Sequence, residues 1–215
     1  MASEPSDTAR RHLPPERDLR TLRSAASGCT ACPLHLSGTQ TVFGDGPADA
    51  VLMLVGEQPG DAEDVAGEPF VGPAGKLLDR CLEVAGIDRR RVYVTNVVKH
   101  FKWVPRGKRR IHGKPNAREI RACLPWLEAE MEAVRPRVVV CLGATAAQAL
   151  LGSSFRVSRQ RGEFVASPIA PYVMATVHPS ALLRQPDEDS RRVERARFIA
   201  DLRKVAEVLV RPDVP

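Results

Sequence analysis

Four short apolar runs, separated by segments with helical punctuation, constrain the fold of this 215-residue chain more than any other feature. They are Val51-Leu52-Met53-Leu54-Val55, residues 92–95, residues 138–142 and residues 172–177. Near-continuous apolar stretches of this length, rich in branched residues, belong to strands covered on both faces. The intervening segments are expected to be helical. Pro73 opens one that runs to about Ala85 and stops at Gly86, with proline in the first turn and glycine just past the last. Others are expected at residues 18–26, at 115–134 (Cys123, Leu127, Met131 and Val134 near one face), from Gly143 to Leu150, and at 191–209. Strands alternating with helices predict a three-layer αβα sandwich around a central four-stranded parallel sheet. One domain is expected over residues 18–210, with 1–17 a flexible N-terminal tail.

Size and composition narrow the classes of function. The apolar fraction, 43%, is that of a soluble globular protein with a real core, and no apolar run is long enough to cross a bilayer. Residues 1–20 are polar and charged and lack the apolar stretch of a secretory signal. A cytoplasmic monomer with no membrane partner is expected. Five cysteines, an odd number, argue against a disulfide framework in such a compartment.

Charge is unevenly placed. Residues 89–118 hold 11 Lys/Arg and no Asp or Glu, whereas 21 basic residues face 26 acidic ones in the remainder. The window contains Lys108-Arg109-Arg110-Ile111-His112, a basic loop ending in a histidine. Nucleic acid is the natural partner of such a stripe, and a histidine there is a potential nucleophile or proton carrier. A solvated basic surface is the plainer reading of the same loop.

In a parallel α/β sheet, ligands bind beyond the carboxyl ends of the strands. The unusual residues fall there. Gly56-Glu57-Gln58-Pro59-Gly60-Asp61 follows the first strand, with a carboxylate, an amide and glycines that let a ligand approach. Thr95-Asn96 ends the second, and an asparagine offers both a donor and an acceptor to a base edge. His178-Pro179-Ser180-Ala181-Leu182-Leu183-Arg184 follows the fourth: the histidine suits a developing oxyanion, Ser180 and Arg184 a phosphate, and the alternative is a plain helix N-cap. Phe70-Val71-Gly72-Pro73-Ala74-Gly75 opens a helix, with Phe70 placed to stack a base or to act as a hydrophobic staple. Cys29-Thr30-Ala31-Cys32 with Cys123 and Cys141 makes a possible four-sulfur site, for zinc or an iron–sulfur cluster, unless the latter two are core residues; Cys81 is the odd one out.

Together and in order, these motifs resemble the uracil-DNA glycosylase superfamily, specifically its iron–sulfur branch related to family 4. The resemblance covers residues 24–205. The Lys108–His112 insertion and Gln58 resemble the UdgX branch, whose members become covalently attached to uracil-containing DNA. The resemblance implies a [4Fe-4S] cluster on Cys29, Cys32, Cys123 and Cys141. It implies uracil binding by Gly56, Gln58, Asp61, Phe70 and Asn96, and DNA contacts from Lys108, Arg109, Arg110, Ser180 and Arg184. His178 would stabilise charge on the departing base and Glu57 would assist His112, which would attack the sugar. The partner would be uracil-containing DNA, preferably single-stranded. The rivals are a conventional multiple-turnover glycosylase with His112 lining the groove, a metal-stapled nucleic-acid-binding protein, and an electron-transfer protein.

Overall fold

A computed structural model describes residues 8–211. In chain order its elements are α1 (Leu19–Ala26), β1 (Leu52–Gly56), α2 (Asp61–Ala66), α3 (Pro73–Val84), β2 (Val92–Asn96), β3 (Trp103–Arg106), β4 (Arg109–His112) and α4 (Ala117–Val134). There follow β5 (Val138–Leu142), α5 (Ala144–Leu151), α6 (Val157–Gln160), β6 (Phe164–Val165), β7 (Tyr172–Thr176), α7 (Pro179–Leu183) and α8 (Glu188–Leu209). All four apolar runs are strands, paired in parallel in the order β2-β1-β5-β7.

Alternation along each strand sorts the core into two layers. Met53, Val55, Tyr93, Val139, Cys141 and Val173 pack with Leu22 of α1, Trp126 and Leu127 of α4, and Ala146 and Ala147 of α5. Leu52, Leu54, Val94, Val140 and Met174 face the other way, against Leu78 and Leu82 of α3 and Phe198, Leu202 and Val205 of α8. Each strand therefore buries both sets of side chains, which is why the runs are continuous rather than alternating. The result is the three-layer arrangement that the strand–helix rhythm predicts.

Three expectations need correction. The sheet has a fifth strand, since β6 pairs antiparallel with β7 at the edge; at two residues it is too short to leave a pattern in the sequence. The basic loop is not a loop: β3 and β4 form an antiparallel hairpin. Its two-residue turn places Gly107 first, at φ 60°, where a type II′ turn requires a positive φ. The described part of the expected tail packs into the fold. Residues 1–7 lie outside the described residues, but Ala9–His12 forms a 3₁₀ turn with Ala9 fully buried in the α1/α4 layer. Small and apolar, Ala9 fits a close approach to α4 within an otherwise polar segment.

Candidate active site

The strand order reverses between β1 and β5, and a cavity of about 820 Å³ opens beyond their carboxyl ends. Glu57, Gln58, Phe70, Asn96, His112, His178, Ser180 and Arg184 all line it. A smaller hollow beside Asp79 and Arg89 lies where β2 begins, at the opposite end of the strands, and no motif residue reaches it.

The walls are set by backbone constraints. Phe70 has a φ of 59°, a left-handed conformation that costs a bulky residue energy, and its ring forms part of the cavity wall. A Cβ on Gly75 would collide with the Phe70 carbonyl, and one on Gly56 with Asn96 Oδ1, so these two glycines permit the close approach of the groups around them. Gly56 thus acts by admitting Asn96 and does not itself line the cavity. Glu63 ties the loops together, accepting from the backbone N–H of Gly60 at 3.1 Å and of Gly72 at 2.8 Å. The Phe70 ring stacks on the His178 imidazole, centroids 6.0 Å apart and planes 27° apart.

The polar groups are directional. His178 caps α7, its Nδ1 accepting from the Ser180 N–H at 3.2 Å and facing the Ser180 hydroxyl at 2.8 Å. Arg184 donates to that hydroxyl at 3.0 Å. The chain of donors therefore runs from Arg184 through Ser180 to Nδ1 and leaves the ring proton on Nε2. Burial, then Arg184 and His112, lower the His178 pKa to about 4, so the ring is neutral near pH 7. It offers one N–H to the cavity. Asn96 is buried at the end of β2, and its side-chain amide, which lines the cavity, has no hydrogen-bond partner among the described residues. Opening onto the cavity, the amide can pair with a ligand there.

Glu57 joins two elements. One oxygen accepts a short hydrogen bond from Thr145 Oγ1, across the β1/β5 reversal, and the other lies 3.4 Å from His112 Nε2. Thr145 is a residue the sequence reading missed. Its signal was position: it follows Gly143 at the end of β5, the one strand end given no candidate.

The hairpin carrying His112 has two faces. Trp103, Arg110 and His112 turn inward, and Arg110 lies over the rings of Phe101 and Trp103 at 5.5 and 5.7 Å. Its guanidinium binds Asp61 and Asp64, each at 2.6 Å, and the Thr39 hydroxyl at 3.2 Å. Arg110, expected on a phosphate, is thus paired within the protein, and Asp61, expected at the base, pairs with Arg110 and is not part of the cavity lining. Gln58 is likewise spent on positioning: its amide donates to the carbonyls of Lys102 and Gly113, both at 3.1 Å, and accepts from the Lys102 N–H at 3.2 Å. Ser180, expected on a phosphate, instead orients His178.

A family model, the uracil DNA glycosylase superfamily, matches residues 43–203. The chain belongs to that superfamily. Curated relatives named type-4 uracil-DNA glycosylase include one from Thermotoga maritima, 42% identical over 166 residues, which are 77% of this chain and 83% of the relative. One from Archaeoglobus fulgidus is 37% identical over 187 residues, 84% and 87% of the two chains, and one from Sulfurisphaera tokodaii is 33% identical over 205 residues, 90% and 86%.

Within this uracil-DNA glycosylase fold the cysteines divide by layer. Cys29, Cys32, Cys123 and Cys141 all belong to the α1/α4 layer, whereas Cys81 lies across the sheet. The sulfurs of Cys29 and Cys123 accept N–H donors, from Trp126 Nε1 and the Lys99 backbone, each at 3.2 Å. Such donors are what bound thiolates take from a protein. Cys32 and Cys123 each feel neighbouring cysteines electrostatically, while the Cys141 thiol is pushed up to about 12 by burial alone and stands apart on β5. Among the described residues no three ligating side chains converge as a single ion requires.

Five of the eleven basic residues of the window are paired within the protein. Arg89, Arg90, Lys99, Lys102 and Arg110 are in ion pairs with Asp79, Asp88, Glu130, Glu119 and the Asp61/Asp64 pair. Arg106, Lys108, Arg109 and Lys114 have no ion pair among the described residues; Lys114 lines the cavity and the other three cluster at the exposed hairpin turn. Leu183, another residue the sequence reading passed over, is an exposed apolar side chain on α7 beside the cavity mouth.

Proposed function

We propose that this protein excises uracil from DNA, preferably single-stranded, and ends joined to the abasic sugar through His112. The observation that carries this reading is the Glu57–His112 pair, 3.4 Å apart, on the rim of the cavity that also holds Asn96, Phe70 and His178. The likeness to type-4 uracil-DNA glycosylases supports the first half.

The deoxyuridine is flipped into the cavity at a cost of a few kcal/mol, least for an unpaired base. Leu183 fills the gap left in the stack. Uracil lies on Phe70 while the Asn96 amide takes its N3–H and O4. The C1′–N1 bond then breaks with its electron pair going to the base. The His178 Nε2–H donates to the charge that develops on O2, the logic of an oxyanion hole. The oxocarbenium-like sugar is stabilised by the Glu57 carboxylate. The unprotonated nitrogen of His112 supplies the electron pair for a new bond to C1′, provided it comes within about 3–3.5 Å. The positive charge then resides on the imidazole until its other N–H proton is lost. Lys108, Arg109 and Arg184 hold flanking phosphates. Cys29, Cys32, Cys123 and Cys141 would hold a [4Fe-4S] cluster that staples the N-terminal CxxC to α4 and β5.

The rival reading has Glu57 hold a water, with turnover and no bond to His112. Uracil-containing single-stranded DNA, mixed with protein and run on a denaturing gel, separates the two. A shifted band that His112→Ser abolishes is expected. Free uracil with an unshifted band from the native protein overturns the covalent step, and a shifted band from His112→Ser overturns the assigned nucleophile.

A further inference from the structure

We infer that Lys99 and Glu130, a buried ion pair remote from any expected contact with the base, position Asn96 for base recognition. The inference rests on the reading of Asn96 as the group that reads the base edge.

The pair is built, not incidental. Lys99 and Glu130 have side-chain exposures of 1% and 0%, and Lys99 Nζ lies 2.5 Å from Glu130 Oε2. Burying two charges is costly and adds little net stability by itself, so a pair kept in this state asks for another explanation. The ammonium also donates to Asn96 O at 2.7 Å and to Thr95 Oγ1 at 2.6 Å. These are the last two residues of β2, where the ladder to β1 ends at Gly56–Asn96. Past that point, Val97 and Val98 bond back to the carbonyls of Gly56 and Glu57, both at 3.0 Å. Outside the ladder no backbone N–H among the described residues donates to the Asn96 carbonyl, and Lys99 donates to it from its side chain. Residues 96–99 thereby form a brace that fixes the end of β2 and the Glu57 backbone together.

Glu130 anchors the brace to the rest of the layer. It accepts from Tyr93 OH at 3.1 Å, Thr95 Oγ1 at 2.8 Å and the Gly44 N–H at 2.9 Å. The Lys99 backbone N–H donates to Cys123 Sγ, one residue of the expected sulfur set, two helical turns from Glu130 on α4. One residue thus joins that sulfur to the strand end that presents Asn96. Lys99 and Glu130 touch no substrate; they are positioning residues.

The test is a double-mutant cycle on the cluster-containing protein. Lys99→Met alone leaves a buried carboxylate without its partner, so the pair is removed together as Lys99→Met/Glu130→Gln, which keeps volume and the neutral hydrogen bonds. Single-turnover uracil release is expected to fall roughly 100-fold, the scale of an ångström-sized misplacement. In an Asn96→Ala background the same change should cost about twofold or less, because a residue that acts through Asn96 has nothing left to act on. A second readout needs no catalysis. The Asn96 side-chain amide, observed by NMR, should give one sharp proton pair in the native protein and a broadened or split pair in the double variant. Equal losses of release in both backgrounds, or an Asn96 amide signal unchanged by removing the pair, overturn the inference. If the native protein releases no uracil, the proposed function fails, and the NMR comparison still decides whether the pair fixes Asn96.

Discussion

Asn96 and His178 stand at the ends of strands in a five-stranded sheet, whereas His112 stands at the end of a two-stranded hairpin outside it. The difference is one of support. β2 and β7 are held by ladders, by two apolar layers and by the brace at residues 96–99. An isolated hairpin is at best marginally stable in water. This one depends on side-chain clasps: Gln58 across its root, Trp103 Nε1 on the Ser37 carbonyl at 2.8 Å, Lys102 on Glu119 at 2.9 Å, and Arg110 on Asp61 and Asp64. The groups that would recognise the base are therefore part of the fold, while His112, the proposed nucleophile, is attached to it by a few separable contacts. Substitutions should split accordingly, into those that lower both base release and crosslinking and those that lower crosslinking alone.

The largest effect short of removing His112 is expected at the sheet edge. His178→Ala deletes the Nε2–H that faces the cavity, and loss of one such donor lowers a rate by roughly 10²–10³. Uracil release and crosslinking should fall in parallel, since His112 can attack only after the base departs. Single-turnover release and gel-shift rates, measured on the same samples, check this. Crosslinking that survives while release collapses would mean that the hairpin does not depend on the sheet edge.

A smaller and more selective effect is expected from the clasp. Arg110→Met keeps the stem over Phe101 and Trp103 but removes both ion pairs. Crosslinking should slow by about tenfold as His112 drifts from C1′, with uracil release changed by about twofold or less. Thermal unfolding should show a loss on the order of 1–3 kcal/mol, because the fully buried Asp64 keeps only Thr39 as a partner. Equal loss of release and crosslinking would erase the distinction between the two regions.

The same division explains what could be read from the sequence. The parallel sheet was legible because Val51–Val55 and its three counterparts bury both faces, and this burial writes itself into consecutive residues. The ends of those strands then located Glu57, Asn96 and His178 without any side-chain geometry. Asp61, Gln58 and Arg110 were assigned to ligands because a carboxylate, an amide and a guanidinium look the same whether they face DNA or one another; only three-dimensional pairing shows that they hold the hairpin. For the same reason charge counting overstated the basic window, since Lys99 and Lys102 have carboxylate partners on α4 that lie outside it in sequence. Thr145 was missed because a threonine opening an alanine-rich helix carries no chemical mark of its own.

The smallest expected effect concerns pH, and it separates the two regions by what else changes. Burial lowers the pKa of both His100 and His178 to about 4, against 6.5 when unfolded. Between those values the unfolded chain binds protons that the folded chain does not, so stability falls as pH drops from about 6.5 toward 4 and is level above that window. His100, at the hairpin root with Nε2 3.0 Å from Thr41 Oγ1, contributes on the order of 1–2 kcal/mol of this acid loss at about pH 5. His100→Gln can keep the contact to Thr41 and should flatten the acid slope of the melting temperature while leaving uracil release near native. His178→Asn should flatten the slope as well, but only with a large loss of release, because its buried neutral ring is also the proposed donor to the base. If His100→Gln lowered release as much as His178→Asn does, burial of a neutral histidine would be serving the site from the hairpin root too, and the sheet edge could no longer be treated as the independent half.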